Sequence, residues 1–275
     1  MCTLLITSNS DHINHALSSP SFMARGTRDS SLYSLDFGDG KEKSTFIAPM
    51  EMSAWGVLDQ EDIIGRGRLY ALHTHSPTGT TWGRHPAGVF RMAEKGKSNH
   101  KLTGRLWHNG QIINAPSDQW DTQYLLDLLI PPTNKPDTFE SAIKWDALDS
   151  LHGSFAGLLL VTIVNMQTGA AYSRLFIFRN HMSPLICKAP QSSIRTLKAK
   201  PDVAHPTEKI FLDSSSYVAS VPLAGDEKQE KWGNLTTNTV YEIRLFDRGG
   251  VPVYSLSPVT YFNNVFDPYG SGTYR

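Results

Sequence analysis

Residues Met1-Cys2-Thr3-Leu4-Leu5-Ile6-Thr7 predict a short apolar strand, preceded by a cysteine as the second residue of the sequence. Initiator methionines are removed when the next side chain is small, so we expect the mature chain to begin with Cys2. An N-terminal cysteine carries a thiol and a free α-amino group, whose pKa values lie near about 8.5 and about 8. The neutral amine can take the thiol proton, which makes Cys2 a candidate nucleophile. The alternative is a small buried residue at the start of a strand.

Composition excludes several classes of protein. The 275 residues include 26 basic and 26 acidic side chains, so bulk charge favours neither nucleic acid nor an anionic membrane as partner. The two cysteines, Cys2 and Cys187, are too few for a disulfide scaffold and suit a reducing compartment. The N-terminus lacks signal-peptide features, and no apolar run reaches the roughly 18 residues of a membrane span. We therefore predict a soluble cytoplasmic protein, with Cys187 as a buried strand residue.

Hydrophobic periodicity predicts strands, then helices, then strands again. This order favours sheets packed on each other with the helices segregated outside, an α+β protein. The helix predicted over 138–151 has Asp137 as its N-cap, answered by Glu140 three residues later. The predicted strands are 2–7, 69–75, 102–107, 155–164, 171–178, 185–188, 210–212, 217–221, 240–246 and 251–254, and the predicted helices are 11–22, 121–130 and 138–151.

Two further segments offer what a nucleophilic Cys2 would need. Asn109-Gly110 follows the strand 102–107 and can present a side-chain NH₂ and a backbone N–H to a developing oxyanion. The same pair is also typical of a hairpin turn. Asp121 begins a predicted helix, where we expect it to act as N-cap and to supply a carboxylate for the ammonium group of an amino-acid substrate.

Taken together, these segments resemble the class II glutamine amidotransferases, which are N-terminal-nucleophile hydrolases. The pair of His-Asn-Gly and Asp-Thr motifs with an initial cysteine is the specific part of the resemblance. The segments that carry it are 1–2 (MC), 25–30 (RGTRDS), 73–79 (HTHSPTG), 85–86 (HP), 108–114 (HNGQIIN), 120–123 (WDTQ), 153–156 (GSFA) and 179–185 (RNHMSPL).

The resemblance implies a fold and a domain plan. The expected fold is a four-layer αββα sandwich of two antiparallel sheets, the N-terminal-nucleophile hydrolase fold. Residues 2–246 would form the amidotransferase-like domain and residues 247–275 a C-terminal extension. Neither a cofactor nor a metal is expected.

The resemblance also implies roles for individual residues. Cys2 would attack the side-chain amide of glutamine, and the side chain of Asn109 with the N–H of Gly110 would bind the oxyanion. Asp121 would bind the glutamine ammonium group. His108 is expected to be positional rather than catalytic, and Thr78 and Thr122 are expected to shape the pocket.

One position departs from the family's pattern. His75 stands where the family has an arginine that grips the glutamine α-carboxylate. A histidine offers one conditional donor in place of a permanent bidentate fork. Three outcomes follow from this: weaker glutamine binding by His75, replacement of the arginine by Arg84, or a pocket that admits a different amide.

The resemblance predicts a partner as well. Family members commonly fuse this domain to one that consumes the ammonia, so we expect a separate synthetase subunit as the acceptor. The alternatives are an N-terminal-nucleophile amidohydrolase acting on another amide, and a degenerate domain of this fold that serves as a binding or structural protein. Retention of Met1 would favour the degenerate domain, because the blocked amine could not act as a base.

Overall fold

A computed structural model describes most of the chain. The described residues are 2–23, 29–35, 42–47, 69–75, 83, 85–92, 99–132, 138–194, 209–223, 226, 232–248 and 251–265. Strands predominate among them and form two antiparallel sheets, which confirms the predicted α+β class. The chain divides into two compact units, the first comprising residues 1–78, 184–236 and 241–258, and the second residues 79–183, 237–240 and 259–275.

The first unit contains a seven-stranded sheet in the order β12-β9-β11-β1-β4-β2-β3. β1 lies in the middle and pairs antiparallel with β11 and β4, so all five of its residues are buried. The short apolar run of the N-terminus is therefore a fully buried central strand. The strands are β1 (Thr3–Thr7), β2 (Asp29–Leu35), β3 (Glu42–Ile47), β4 (Leu69–His75), β9 (Ile186–Lys188), β11 (Tyr217–Ala219) and β12 (Trp232–Asn234).

Two short helices follow β1 where the sequence predicts one over 11–22. They are α1 (Ser10–Ser18) and α2 (Pro20–Met23). Ser19 is extended, with φ −82° and ψ 115°, as expected for the residue before a proline. Ile13 and Ala16 of α1 pack into a core with residues of β1 and β4, which covers one face of the sheet.

Three strands of the second sheet, in the order β10-β14-β13, lie wholly or mostly in the first unit. They are β10 (Ile210–Leu212), β13 (Thr239–Arg248) and β14 (Val251–Tyr261). β14 pairs antiparallel with β10, with Leu256 opposite Ile210. The segment 247–275 thus includes a strand, while the domain boundary at residue 246 stays a prediction.

The second unit contains the strands β8-β7-β6-β5 in that order. They are β5 (Ala87–Met92), β6 (His100–Ile112), β7 (Gly153–Asn165) and β8 (Ala171–Arg179). β6 and β7 pair over their whole length, and helix α3 (Asp121–Leu129) packs its leucines against them. The register aligns Asn109, Ala156 and Arg179 across three adjacent strands.

The helix predicted over 138–151 is wrong in its extent and in its cap. The structure has a four-residue helix α4 (Phe139–Ala142) and a separate 3₁₀ helix (Trp145–Ser150). Thr138 is the N-cap and forms a capping box with Ser141, whereas the predicted cap Asp137 lies outside the described residues. Between the two helices, the N–H of Lys144 donates to the carbonyl of Leu129 at 2.9 Å. That bond to the end of α3 replaces the helical bond that a continuous helix would make.

Helices with the length and apolar character needed to cross a bilayer are absent from the described part of the chain.

Candidate functional site

Cys2 lies directly before β1, at one end of the central strand of the first sheet. Its side chain is only 6 % exposed. The next residue, Thr3, is opposite Thr74 of β4, and the hydroxyls of these two buried threonines form a short hydrogen bond. This hydrogen bond joins β1 to β4 at the residue next to Cys2.

His75 ends β4 beside Cys2. Because Thr3 pairs with Thr74, the same antiparallel register places Cys2 opposite His75. The Cys2 sulfur and a ring nitrogen of His75 lie within 4.8 Å, and the His75 side chain is only 3 % exposed. Thiolate and imidazole are also ligands that zinc prefers, so this pair can contribute to a metal site, and the absence of a metal stays a prediction.

Asn109 and Gly110 lie inside β6, so the alternative prediction of a hairpin turn at this pair is wrong. They are opposite Ala156 and Phe155 of β7. Gly110 has φ +147°, and a Cβ at this position would lie 2.0 Å from the backbone oxygen of Ser154. Only glycine fits, because this backbone conformation and the close approach of β7 both exclude a side chain.

Asp121 is brought to the same segment of β6. Its Oδ2 accepts a hydrogen bond from the N–H of Ile112 at 3.2 Å, two residues beyond Gly110. The predicted N-cap role is wrong: Trp120 is the N-cap residue of α3, and Asp121 occupies the first turn. A carboxylate in the first turn still benefits from the helix dipole. The structure therefore holds an anionic side chain close to the candidate oxyanion donors.

Thr122 and His108 join this cluster. His108 Nδ1 lies 3.1 Å from Thr122 Oγ1 and 3.9 Å from Asp121 Oδ2, and both His108 and Thr122 are almost completely buried. A buried imidazole that bridges β6 to the start of α3 orients both elements. The positional role expected of His108 is compatible with these contacts and stays a prediction.

Sequence reasoning gave His85 no role. The N–H of His108 donates to His85 Nδ1 at 3.4 Å, and the His85 ring stands edge-on to Trp120 with centroids 4.8 Å apart. His85 therefore supports the backbone next to Asn109. The His85-Pro86 pair was the available signal, but a histidine beside a proline does not by itself indicate which strand it will face.

The segment that follows β8 also contacts β6. Ser183 Oγ donates to the backbone oxygen of Asn109 at 3.3 Å. In the sequence, 179–185 is only one of the segments that carry the resemblance, and a serine carries no signal of this contact.

Two predicted binding residues, Thr78 and Arg84, lie outside the described residues. Cys187 lies in β9 and is completely buried, as predicted. Burial strongly raises the pKa of the Cys187 thiol, which keeps it protonated and unreactive. Cys2 is therefore the better placed of the two cysteines to act as a nucleophile.

Comparisons with known proteins identify solved structures that are similar to this chain. No protein-family model and no curated protein matches the chain. Among solved structures, it is similar to a glutamine phosphoribosylpyrophosphate amidotransferase from B. subtilis complexed with ADP and GMP. The sequence identity is 14 % and the TM-score 0.50, over 95 % of this chain and 50 % of that one. It is also similar to a structure described as the allosteric regulatory enzyme of purine biosynthesis, at 16 % identity and a TM-score of 0.51, over 89 % of this chain and 47 % of that one.

These likenesses establish the fold. The chain has the N-terminal-nucleophile hydrolase fold of these structures, as the resemblance in sequence predicts. The chain spans about half the length of the two proteins that it matches.

Proposed function

We propose that this chain is a glutamine amidotransferase subunit in which an N-terminal Cys2 hydrolyses the side-chain amide of glutamine. The observation that carries the proposal is the contact between the Asp121 carboxylate and the backbone of β6, two residues from Gly110. An ammonium-binding carboxylate and the oxyanion donors must lie a few ångströms apart, because they bind two ends of one small substrate. The fold of the matched amidotransferases supports the same function.

The reaction would begin with proton transfer from the Cys2 thiol to its own α-amino group. The thiolate attacks the amide carbon, and the tetrahedral intermediate expels ammonia after the amine returns the proton to the leaving nitrogen. A γ-glutamyl thioester on Cys2 remains. Water then attacks this thioester, which releases glutamate and the free thiol.

Asn109 and Gly110 would stabilise the negative oxygen of the intermediate. Hydrogen-bond donors that are fixed before the reaction stabilise the transition state more than mobile donors do, because no reorganisation is needed as charge develops. The enforced conformation of Gly110, with β7 packed against it, supports this role. Asp121 would pair with the ammonium group of glutamine, and Thr122 would line the same region.

Substituting each of the two cysteines in turn provides the experiment, with Cys187 as the control for Cys2. Ammonia release from glutamine is measured for wild type, Cys2→Ala and Cys187→Ala. We expect Cys2→Ala to fall to the level of buffer, because no other group in the mechanism forms the thioester, and Cys187→Ala to keep its rate within about twofold. Glutaminase activity that survives in Cys2→Ala would overturn the proposal.

His75 favours a second candidate, an N-terminal-nucleophile amidohydrolase acting on another amide. A buried histidine beside Cys2 offers an α-carboxylate fewer hydrogen-bond donors than the bidentate fork of the arginine it replaces. The two functions are separated by comparing glutamine with its α-amide derivative. A much lower KM for glutamine identifies carboxylate recognition by His75 or Arg84, whereas equal KM values favour the second candidate.

The acceptor of the ammonia is proposed to be a separate synthetase subunit. Free ammonia released without an acceptor would waste glutamine, so we expect the isolated chain to turn over slowly and to be stimulated by its partner. Full turnover by a purified chain that copurifies with no other protein would argue against this subunit.

A further inference from the structure

The carbonyl oxygen of the peptide group between Asn109 and Gly110 accepts a hydrogen bond from a buried side chain. Ser183 Oγ donates a hydrogen bond to the Asn109 oxygen at 3.3 Å, and Ser183 and Asn109 are 3 % and 5 % exposed. In a planar trans peptide the C=O and the following N–H point in opposite directions. A donor that fixes the oxygen of Asn109 therefore also fixes the direction of the Gly110 N–H.

Ser183 is itself held in place by the end of β8. The guanidinium of Arg179 donates to the backbone oxygen of Ser183 at 2.7 Å, and this arginine is 9 % exposed. The sheet register aligns Arg179 with Ala156 and Ala156 with Asn109, so the turn that follows β8 emerges at the level of the oxyanion segment.

Asn180 ties the same turn to β7. Its N–H donates to the oxygen of Phe155 at 2.9 Å, and its Oδ1 accepts from the N–H of Phe155 at 3.2 Å. Its Nδ2 donates to the oxygen of Gly153 at 2.7 Å. Phe155 is the residue paired with Gly110. The turn 179–183 is thus hydrogen-bonded both to β6 and to the neighbouring strand β7.

We propose that Ser183 is a positioning residue that orients and polarises the Gly110 N–H for oxyanion binding. This inference rests on the proposed function, because it assigns Ser183 a part in the same glutaminase step. A hydrogen bond to a peptide oxygen strengthens the N–H of that peptide as a donor, and in a buried site such chains of bonds reinforce one another. The effect belongs to the transition state, where charge appears on the substrate oxygen.

The kinetic test compares Ser183→Ala, Ser183→Thr and a matched control, Ser173→Ala. Ser173 lies on β8 and bonds to Thr162 Oγ1 at 2.8 Å, and Thr162 is opposite Thr103 of β6, six residues from Asn109. We expect Ser183→Ala to lower kcat for glutamine about tenfold with KM within about twofold. We expect Ser183→Thr to restore kcat and Ser173→Ala to leave it unchanged. Alkylation of Cys2 by iodoacetamide, which forms no oxyanion, should proceed at the wild-type rate in all variants.

A spectroscopic readout tests the contact without substrate. Asn109-Gly110 is the only Asn-Gly pair in the sequence, so labelling asparagine with ¹³C at the carbonyl and glycine with ¹⁵N gives a single correlation signal from this peptide. We expect Ser183→Ala to shift its carbonyl carbon upfield, as loss of a hydrogen bond to the oxygen requires, and Ser173→Ala to leave it in place.

The outcomes separate the two proposals. A signal that does not move in Ser183→Ala overturns the positioning role, whether or not the wild type hydrolyses glutamine. A moved signal with unaltered kcat in an active enzyme also overturns it, and leaves the glutaminase intact. A wild type that releases no ammonia from glutamine overturns the proposed function, and with it the part of Ser183 in catalysis.

Discussion

Position 110 is subject to two constraints that only glycine satisfies. Its φ of +147° lies where side chains are strained, and the oxygen of Ser154 occupies the space of a Cβ. The Asn-Gly motif and the resemblance both predict that this glycine binds an oxyanion, but neither predicts the approach of β7, which depends on pairing with a strand more than forty residues away.

The first prediction is that Gly110→Ala lowers the free energy of unfolding by about 2 to 4 kcal/mol, because strained backbone and overpacking against a backbone atom add. Urea unfolding measures the effect. Gly88→Ala on β5 is the control, since a Cβ there meets nothing within 4 Å, and it should be neutral or slightly stabilising. Equal effects of the two substitutions would show that Gly110 is not constrained.

The second prediction concerns Asp121. Asp121→Asn should raise the KM for glutamine by about tenfold or more, because the neutral amide loses the charge that attracts the ammonium group. The amide oxygen can still accept from the N–H of Ile112, so folding is preserved.

Asp127→Asn provides the control for this measurement. Asp127 lies on the same helix and pairs with Arg91 at 2.7 Å, near the surface. Its loss should leave the KM unchanged and alter stability by less than about 1 kcal/mol. An unchanged KM in Asp121→Asn would remove Asp121 from substrate binding.

At the scale of elements, strands were easier to predict than helices. Leu69–His75 and Ile210–Leu212 have the bounds that the sequence predicts, because their flanking turn residues mark both ends. The helix over 138–151 fails, because the bond from Lys144 to Leu129 is a tertiary contact that no local pattern encodes. The strand β14, by contrast, extends beyond the predicted 251–254 to Tyr261.

Helix α1 supplies the third prediction, through His12 on the face towards β1. Its Nδ1 lies 2.8 Å from Thr7 Oγ1, and its ring stands edge-on to Tyr217. Burial, and next the positive charge of Lys188, lower the pKa of His12 to about 4, against opposing contributions from Asp226 and Asp11.

The unfolded chain takes up the His12 proton near pH 6.5 and the folded chain near pH 4. Between these values the unfolded state binds more protons, so the free energy of unfolding should fall as the pH drops from 7 to 5. Urea midpoints at the two pH values measure this fall. It should be smaller in His12→Gln than in wild type, and equal to that of wild type in Asn14→Gln, at an exposed position of α1 that does not titrate. The same fall in His12→Gln as in wild type would contradict the assignment.

At the scale of the whole molecule, the sequence predicted the class and the fold, whereas strand order came only from the structure. β1 lies between β4 and β11, which is more than 200 residues away in sequence, and such long-range pairing leaves no local periodic signal. The same limit applies to Ser183 and His85, whose contacts with β6 and its neighbours arise only when distant strands align.

The proposed function depends most on a free N-terminal Cys2 that attacks glutamine. The direct measurement is intact-mass and peptide mass spectrometry after treatment with 6-diazo-5-oxo-norleucine, a glutamine analogue that alkylates the nucleophile. We predict a chain that lacks Met1 and carries one adduct per molecule on Cys2, with Cys187 unmodified. A chain that retains Met1, or a free Cys2 that takes up no adduct, would contradict the proposed role of Cys2 as the nucleophile.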